Sequence, residues 1–228
     1  MNIPKISKRL EAAASFSRRG ARFADVGTDH AYLPIYLHAT QNSEGVASDI
    51  NAGPTERALA NVISHGARGA IEVVQTDGLH GIEPYAPEDI FILGMGGELI
   101  VKIISEADWL KNEKKRLILQ PMTHPEIVRE YLYGNGFDVV GELIVKDDKI
   151  YQIICAEYSG CIQRGFNSLE LLVGRKNLLR VEPILYELLK NIKRVFAERV
   201  AGKQSAGADA SFELDMIKNI DEILTEDK

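Results

Sequence analysis

Apolar positions follow two different periods along the first two thirds of the chain. Short apolar runs are typical of buried strands, whereas apolar residues about three or four positions apart are typical of helices. Together the two patterns predict five strands and five helices. The predicted strands are 23–26, 45–49, 71–75, 89–93 and 116–121, and the predicted helices are 3–16, one that opens near 29–31, 54–65, 98–105 and 124–133.

The pattern changes after residue 136. Two strand-like runs, 137–145 and 150–158, are joined only by the short polar segment 146–149, which predicts an antiparallel hairpin. Five β-α units closed by a hairpin predict an α/β fold with a seven-stranded mixed sheet. This is the plan of class I, Rossmann-like methyltransferases that use S-adenosylmethionine, whereas NAD-binding Rossmann domains usually have an all-parallel sheet.

From about residue 167 the sequence is typical of helices. Apolar residues there repeat at spacings of three and four, which predicts two antiparallel helices packed as a short coiled coil around a loop at 202–210. We therefore expect a methyltransferase domain at 1–160 and a helical coiled-coil domain at 161–228. The pattern leaves open whether the second domain stabilises the protein, makes a dimer or clamps a large substrate. The repeat consists of Leu185, Leu188, Ile192 and Val195, followed by Ile217, Ile220 and Leu224.

Composition and charge narrow the class of protein. The 228 residues carry a formal net charge of −6, which argues weakly against nucleic acid as a partner. Positive charge is nevertheless concentrated in two segments, 5–22 and 175–203, which would permit RNA binding. Cys155 and Cys161 lack companions with metal-ligand spacing, so we expect no metal. No apolar run is long enough to span a bilayer and no signal peptide is present, so we expect a cytoplasmic protein without a membrane partner.

The turn after the first predicted strand carries the most informative chemistry. Gly27 permits a sharp turn and a close approach of a ligand to the backbone. Asp29 stands where the dinucleotide fingerprint needs a second glycine. A carboxylate there would repel a pyrophosphate but would suit the ammonium and sulfonium groups of S-adenosylmethionine. The alternative is that Asp29 only caps the next helix, and this stretch alone leaves both interpretations open.

Further candidate residues follow the next strands. Asp49 ends the second strand, where an acid binds the ribose hydroxyls in nucleotide-binding α/β folds. Asp77 follows the third strand, where it either accepts the amine of an adenine or belongs to an ordinary Asp-Gly turn. The fourth strand runs into Gly94-Met-Gly-Gly97, which indicates either a close approach to the backbone or a very tight turn.

These motifs together resemble a known family. The stretch from Asp25 to Pro34 reads DVGTDHAYLP, and it occurs with GMGG at 94–97, LQP at 119–121 and SKRL at 7–10. Over residues 5–158 the chain resembles the bacterial tRNA (adenine-22-N1)-methyltransferases of the TrmK type. The resemblance implies an S-adenosyl-L-methionine-dependent enzyme with a coiled-coil domain that methylates N1 of an adenine in the D-arm of tRNA. We expect a monomer or weak dimer.

The resemblance also implies roles for individual residues. The sequence leaves a structural interpretation open for two of them. His30 could be a half-buried histidine with satisfied hydrogen bonds, and Tyr32 could be a core residue whose hydroxyl reaches water. Arg18 and Arg19 of the first basic segment are expected to contact tRNA phosphates. The expected catalytic residues are Asp29, His30 and Tyr32, the expected cofactor-binding residues are Asp25, Gly27, Asp29, Asp49, Ile50, Asn51, Asp77, Gly78, Gly94 and Met95, and the expected substrate-binding residues are Arg9, Gly96, Gly97, Gln120 and Pro121 with Arg18 and Arg19.

Two other functions compete with this interpretation. One is a class I methyltransferase that acts on another RNA or on a small molecule, for which the basic segments would be incidental. The other is a non-catalytic or NAD-binding module, against which Asp29 and the terminal hairpin argue. Methyltransferases of exocyclic adenine amines usually have an Asn/Asp-Pro-Pro-aromatic motif after the fourth strand. The glycine motif at 94–97 stands there instead, which favours N1 because its lone pair needs no proton removed.

Overall fold

In this computed structural model, which describes residues 3–225, seven strands form one mixed sheet in the order β3-β2-β1-β4-β5-β7-β6. β1 to β5 are parallel, and β7 runs antiparallel to both β5 and β6. The predicted α/β fold with a seven-stranded mixed sheet is confirmed. The strands are β1 Phe23–Val26, β2 Gly45–Asp49, β3 Ile71–Gln75, β4 Asp89–Gly96, β5 Arg116–Thr123, β6 Phe137–Lys146 and β7 Ile150–Tyr158.

Helices cover the parallel strands and bury their apolar side chains. Phe23 in β1, Phe91 in β4 and Ile118 in β5 are fully buried, as expected of central parallel strands that are covered on both faces. Two short 3-10 turns, Glu83–Tyr85 and Asp108–Leu110, complete the connections. The helices of this part are α1 Lys8–Ala14, α2 Tyr32–Gln41, α3 Ala52–Ser64, α4 Gly97–Ser105 and α5 Pro125–Gly134.

The start of α2 differs from the sequence-based prediction. The helix begins at Tyr32, after the predicted opening at 29–31, because Asp29 and Ala31 have φ angles of +46° and +54°. Ala31 occupies the N-cap position, and no side chain caps the helix. The interpretation of Asp29 as a helix cap is therefore wrong. A left-handed conformation at two non-glycine residues is costly, and such strain clusters at functional sites.

The chain divides into two compact units after Arg164. The second unit consists of α6 Ser168–Val173, α7 Arg175–Arg180, α8 Pro183–Ser205 and α9 Ser211–Thr225. Ion pairs join α8 to α9, at 2.5 Å between Lys193 Nζ and Asp221 Oδ1 and at 2.7 Å between Lys203 Nζ and Glu213 Oε1. No helix within residues 3–225 is long and apolar enough to cross a membrane.

The apolar seam of α8 departs from the predicted repeat. Leu185 and Leu188 are buried as expected, but Val195 is 40% exposed and Phe196 is buried in its place. An α-helix has about 3.6 residues per turn, so a strict spacing of three and four drifts out of register unless the helices supercoil. The predicted loop at 202–210 was also too long, because α8 continues to Ser205.

Candidate active site at the carboxyl edge of the sheet

The predicted cofactor-binding motifs meet at one edge of the sheet. The carboxyl ends of β1 to β5 lie there, and we call it the carboxyl edge; the opposite edge is the amino edge. In the strand register, Val26 of β1 lies beside Ser48 of β2 and Ile92 of β4. The turn after β1 therefore lies between Asp49, which ends β2, and Gly94 in β4. This is where ligands bind in open α/β sheets.

Asp25 is a buried carboxyl at the end of β1. It is 5% exposed and accepts a hydrogen bond of 2.6 Å from the Thr28 hydroxyl. Burial raises the pKa of Asp25 to about 6, although the hydrogen bond from Thr28 and the positive charge of Arg9 favour the ionised form. A carboxylate that burial disfavours gains from a cationic partner. Asp25 is therefore suited to an ammonium group.

Gly27 makes the turn that follows Asp25. Its φ of +77° is left-handed, and the N–H groups of Gly27 and Thr28 both donate to the Ser48 carbonyl, at 2.8 and 2.9 Å. A Cβ at position 27 would lie 2.4 Å from Met95 Cε. The turn thus requires glycine, and Met95 of the glycine motif packs directly against it.

Asp29 lies on the surface beside this turn, with its side chain 55% exposed. Its Oδ1 accepts a hydrogen bond of 2.7 Å from Arg57 Nη2, and its Oδ2 lies 3.4 Å from His30 Nε2. Arg57 belongs to α3 and was missed in the sequence analysis, because no motif connects positions 28 residues apart. Asp29 is therefore held by side chains from two elements.

The rings of His30 and Tyr32 stack at the same place. Their centroids are 5.4 Å apart and their planes differ by 17°. The Tyr32 residue is 39% exposed and the His30 side chain 43%, so neither belongs to the core. The structure thus excludes the core alternative for Tyr32. It presents an aromatic pair beside the Asp29 carboxylate.

The ends of β2 and β3 form the other side of the site. Asp49 Oδ1 accepts the N–H of Asn51 at 2.9 Å, which fixes the carboxylate at the end of β2. Ile50 is 55% exposed. Asp77 is exposed, and Gly78 has a φ of +54° and packs on Ile103 of α4.

The glycine motif continues β4. Met95 pairs with Pro121 and Gly96 with Thr123 through two irregularities in the ladder, so the predicted end of the strand at residue 93 was too early. Gly94 has a φ of +77° and is exposed. It therefore presents bare backbone at the carboxyl edge.

Buried Gln120 supports this backbone from behind. Its Oε1 accepts hydrogen bonds from Gly94 N–H at 3.1 Å and from Arg9 Nη1 at 2.6 Å, and its Nε2 donates to Met122 Sδ at 3.3 Å. The Arg9 guanidinium also lies 5.4 Å from the centroid of the Tyr151 ring. Gln120 thus connects α1, β4 and β5, and it acts on the site through Arg9 and Gly94.

Two of the expected substrate-binding residues lie beneath the surface that a base would contact. Gly97 begins α4 and is buried, and a Cβ there would lie 2.2 Å from the His124 carbonyl oxygen. Pro121 is buried within β5. Gly97 allows α4 and the start of α5 to approach closely behind the site, because it has no side chain. Gly96 is partly exposed and lies nearer the surface.

The expectation for Arg18 is corrected by its position at the amino edge. Its Nε donates to Asp89 Oδ1 at 2.8 Å, and its backbone N–H donates to Asp89 Oδ2 at 2.7 Å. Its Nη2 donates to the carbonyl oxygens of Glu88 and Lys114, each at 2.9 Å. Asp89 begins β4 and is fully buried. Arg18 therefore neutralises a core carboxylate, while the neighbouring Arg19 is exposed at the same edge.

The residues of the carboxyl edge fit S-adenosyl-L-methionine. Asp25 can pair with a cation in a buried place, and Asp49 ends β2 where acids bind ribose hydroxyls. The exposed Ile50 side chain offers an apolar surface to an adenine ring, and Gly27 leaves the turn without a side chain. Residues 3–225 contain no group of three His, Cys, Asp or Glu side chains that could hold a metal ion.

Comparison with known proteins agrees with this geometry. The model of a family described as "Methyltransferase domain" matches residues 6–154. The tRNA (adenine(22)-N(1))-methyltransferase of Bacillus subtilis strain 168 is 38% identical over 176 residues, which are 76% of this chain and 74% of that protein.

Two solved structures are similar over nearly the whole chain. The B. subtilis m1A22 tRNA methyltransferase TrmK has a TM-score of 0.81 and 31% identity, and the match covers 97% of this chain and 98% of that one. Streptococcus pneumoniae Sp1610, solved in complex with S-adenosyl-L-methionine, has a TM-score of 0.86 and 32% identity, with 96% and 100% covered. The chain therefore belongs to the tRNA (adenine(22)-N(1))-methyltransferase family.

Proposed function

We propose that this protein transfers the methyl group of S-adenosyl-L-methionine to N1 of adenine 22 in tRNA. The observation that carries the proposal is the contact between Gly27 and Met95. It joins the predicted cofactor turn to the glycine motif, so that the cofactor residues and a bare strip of backbone share the carboxyl edge. The B. subtilis relative is a tRNA (adenine(22)-N(1))-methyltransferase, which supports the choice of substrate.

Methyl transfer to N1 depends more on how the two reactants are positioned than on a general base. N1 of neutral adenine has an in-plane lone pair, so no proton must leave before methyl transfer. S-adenosyl-L-methionine supplies an electrophilic methyl group on a sulfonium. The protein must hold N1 in line with the methyl–sulfur bond, and well-oriented reactants can recover several kcal/mol of the barrier. Asp25, Asp49 and the Gly27 turn would orient the cofactor, and Gly94 and Gly96 leave room for the base.

The reaction also requires the base to leave its stack. An adenine in a tRNA stem hides N1 in its pairing, so the nucleotide has to be extruded before transfer. Tyr32 is exposed beside the turn and can stack on an extruded base, which contributes about 1–3 kcal/mol. Methylated adenine carries a positive charge, and loss of an N6 proton to Asp29 or to water relieves it.

The remaining expectations about partners belong to this proposal. The basic segment at 175–203 lies in the second unit and would contact tRNA phosphates, which requires an affinity that falls steeply with salt. A tRNA substrate also agrees with the expected cytoplasmic location. We also propose that the protein acts as a monomer or weak dimer.

Mass spectrometry of nucleosides tests the proposal. Purified protein is incubated with cofactor and a tRNA transcript that has adenine at position 22, and a matched transcript has guanine there. We expect 1-methyladenosine from the first transcript and none from the second. Equal product from both transcripts would place the modification elsewhere. Absence of product with tRNA, together with transfer to a small acceptor, would support the alternative class I methyltransferase.

A further inference from the structure

Arg57 is a cation at the mouth of the site for which neither the sequence motifs nor the reaction chemistry has given a role. Its guanidinium lies on the outer side of Asp29, with Nη2 2.7 Å from Asp29 Oδ1, while His30 contacts the other carboxylate oxygen at 3.4 Å. His30 in turn stacks on Tyr32. Arg57 is therefore linked through three successive contacts to the tyrosine proposed to receive the base.

The ion pair between Arg57 and Asp29 is easily exchanged. The two side chains are 51% and 55% exposed. Ion pairs exposed to this extent contribute about 0–1 kcal/mol, because water and salt screen both charges. A phosphodiester carries one negative charge, as a carboxylate does, and it can likewise accept two parallel hydrogen bonds from a guanidinium. Because the exposed ion pair is weak, a tRNA phosphate brought close to Arg57 can compete with Asp29 for the guanidinium.

The Arg57 side chain is half exposed and lies beside a glycine. Gly53 lies in the first turn of α3, and a Cβ there would be 3.5 Å from Arg57 Nη1. The other arginine of the site, Arg9, is held by Gln120 at 2.6 Å and lies over the Tyr151 ring. Arg9 thus supports the floor of the site through Gln120, whereas the Arg57 side chain is half exposed beside Asp29.

We propose that Arg57 binds a tRNA phosphate next to the extruded adenosine and, in doing so, releases the Asp29 carboxylate. This inference rests on the proposed function, because it needs tRNA as the substrate. Before tRNA arrives, Arg57 neutralises Asp29. Once the phosphate has taken its place, the Asp29 carboxylate is available to orient the cofactor or accept the N6 proton. Substrate binding would thereby prepare the site for transfer.

The test compares Arg57→Ala and Arg57→Lys with the control Arg68→Ala. Arg68 is an exposed arginine between α3 and β3, at the amino edge. The dissociation constant for tRNA is measured between 50 and 300 mM salt, on the order of the range where phosphate contacts are sensitive. We expect Arg57→Ala to weaken tRNA binding at least about fivefold and to reduce the salt slope by about 0.7–1. Arg57→Lys should keep the slope and lose part of the affinity.

Calorimetry of cofactor binding without tRNA separates phosphate from a second anion, the methionine carboxylate. Under the proposal, Arg57→Ala binds the cofactor at least as tightly as the wild type, because the Asp29 carboxylate is then free to orient it. A clear loss of cofactor affinity would assign Arg57 to the methionine carboxylate and overturn the proposal, as would an unchanged tRNA affinity and salt slope. If the wild-type protein methylates no tRNA, the proposed function fails. If the wild type is active and Arg57→Ala behaves like Arg68→Ala, only this inference fails.

Discussion

Two buried carboxylates at opposite edges of the sheet differ in how the protein treats their charge. Asp89 at the amino edge is fully buried and receives the Arg18 guanidinium, the Arg18 N–H and the Ser17 hydroxyl. Asp25 at the carboxyl edge is 5% exposed, accepts a hydrogen bond from Thr28, and has a pKa raised to about 6 by burial. The charge of Asp89 is thus neutralised by groups of the protein itself, whereas Asp25 remains available to pair with a cationic group of a ligand.

The same contrast separates arginines of a single sequence segment. Arg9 and Arg18 both belong to the basic segment 5–22, but Arg9 lies at the carboxyl edge and Arg18 at the amino edge. The remainder of the short helix α1 and the turn at 15–17 carry the chain from one edge to the other between them. A count of charges along the sequence therefore cannot define a binding surface when the segment crosses the sheet.

Arg18→Ala is expected to have the largest effect on stability. Removing one partner of a buried ion pair leaves an uncompensated charge and costs about 3–5 kcal/mol. We expect the free energy of unfolding to fall by about this amount in urea titrations, while calorimetry below the transition shows unchanged cofactor affinity. Arg19→Ala is the matched control, because an exposed side chain usually contributes within about 0.5 kcal/mol. An equal loss of unfolding free energy in the two variants would contradict the claim that Arg18 neutralises the buried Asp89 carboxylate.

Asp25→Asn should raise the free energy of unfolding at neutral pH. The folded-state pKa of Asp25, about 6, lies above its ordinary value of 3.8. Between these pH values the folded protein therefore binds more protons than the unfolded chain. As a result, this carboxyl lowers the free energy of unfolding as pH rises from about 4 to above 6. A displacement from 3.8 to about 6 corresponds to up to about 3 kcal/mol.

Urea titrations at pH 8 and near pH 4 measure this effect. We expect Asp25→Asn to be more stable than the wild type at pH 8, by up to about 3 kcal/mol, and most of the difference to be lost near pH 4, just above the ordinary pKa of 3.8. Cofactor affinity should fall at pH 8, because the amide cannot pair with an ammonium. A stability difference that does not change with pH would show that ionisation of Asp25 does not destabilise the folded protein.

Asp49→Ala should have the smallest of these effects and should act on binding alone. Asp49 is half-exposed at the end of β2, so its removal leaves no buried charge. We expect the free energy of cofactor binding to weaken by about 1–3 kcal/mol through lost ribose hydrogen bonds, with an unchanged unfolding midpoint. Unchanged cofactor affinity in an intact fold would remove Asp49 from the site.

Much of the fold was predictable because its signals are local. The strands 45–49, 71–75 and 150–158 have the predicted bounds, since apolar runs flanked by turn residues mark both ends. The start of α2 was not predictable, because the left-handed conformations of Asp29 and Ala31 depend on the packing around the turn. The continuation of β4 through its glycines was not predictable either, because it depends on pairing with Pro121 and Thr123.

The positions of the candidate residues were predictable where they lie at strand ends and not where they depend on contacts across the fold. Asp25, Gly27 and Asp49 follow from position in the β-α units. Arg57 reaches the site from α3, and only the folded chain reveals its contact with Asp29. The buried positions of Gly97 and Pro121 likewise depend on how α4 and α5 approach the sheet.

Single-turnover methyl transfer with saturating tRNA and cofactor tests most directly whether catalysis resides at the carboxyl edge. The variant is Asp29→Ala, and the control is Asp108→Ala, another exposed carboxylate that pairs with a cation, Lys111 Nζ at 2.8 Å. We predict that Asp29→Ala slows transfer at least about 100-fold, in the range of a lost orienting group, while Asp108→Ala keeps the wild-type rate. Transfer by Asp29→Ala at the wild-type rate would contradict the account.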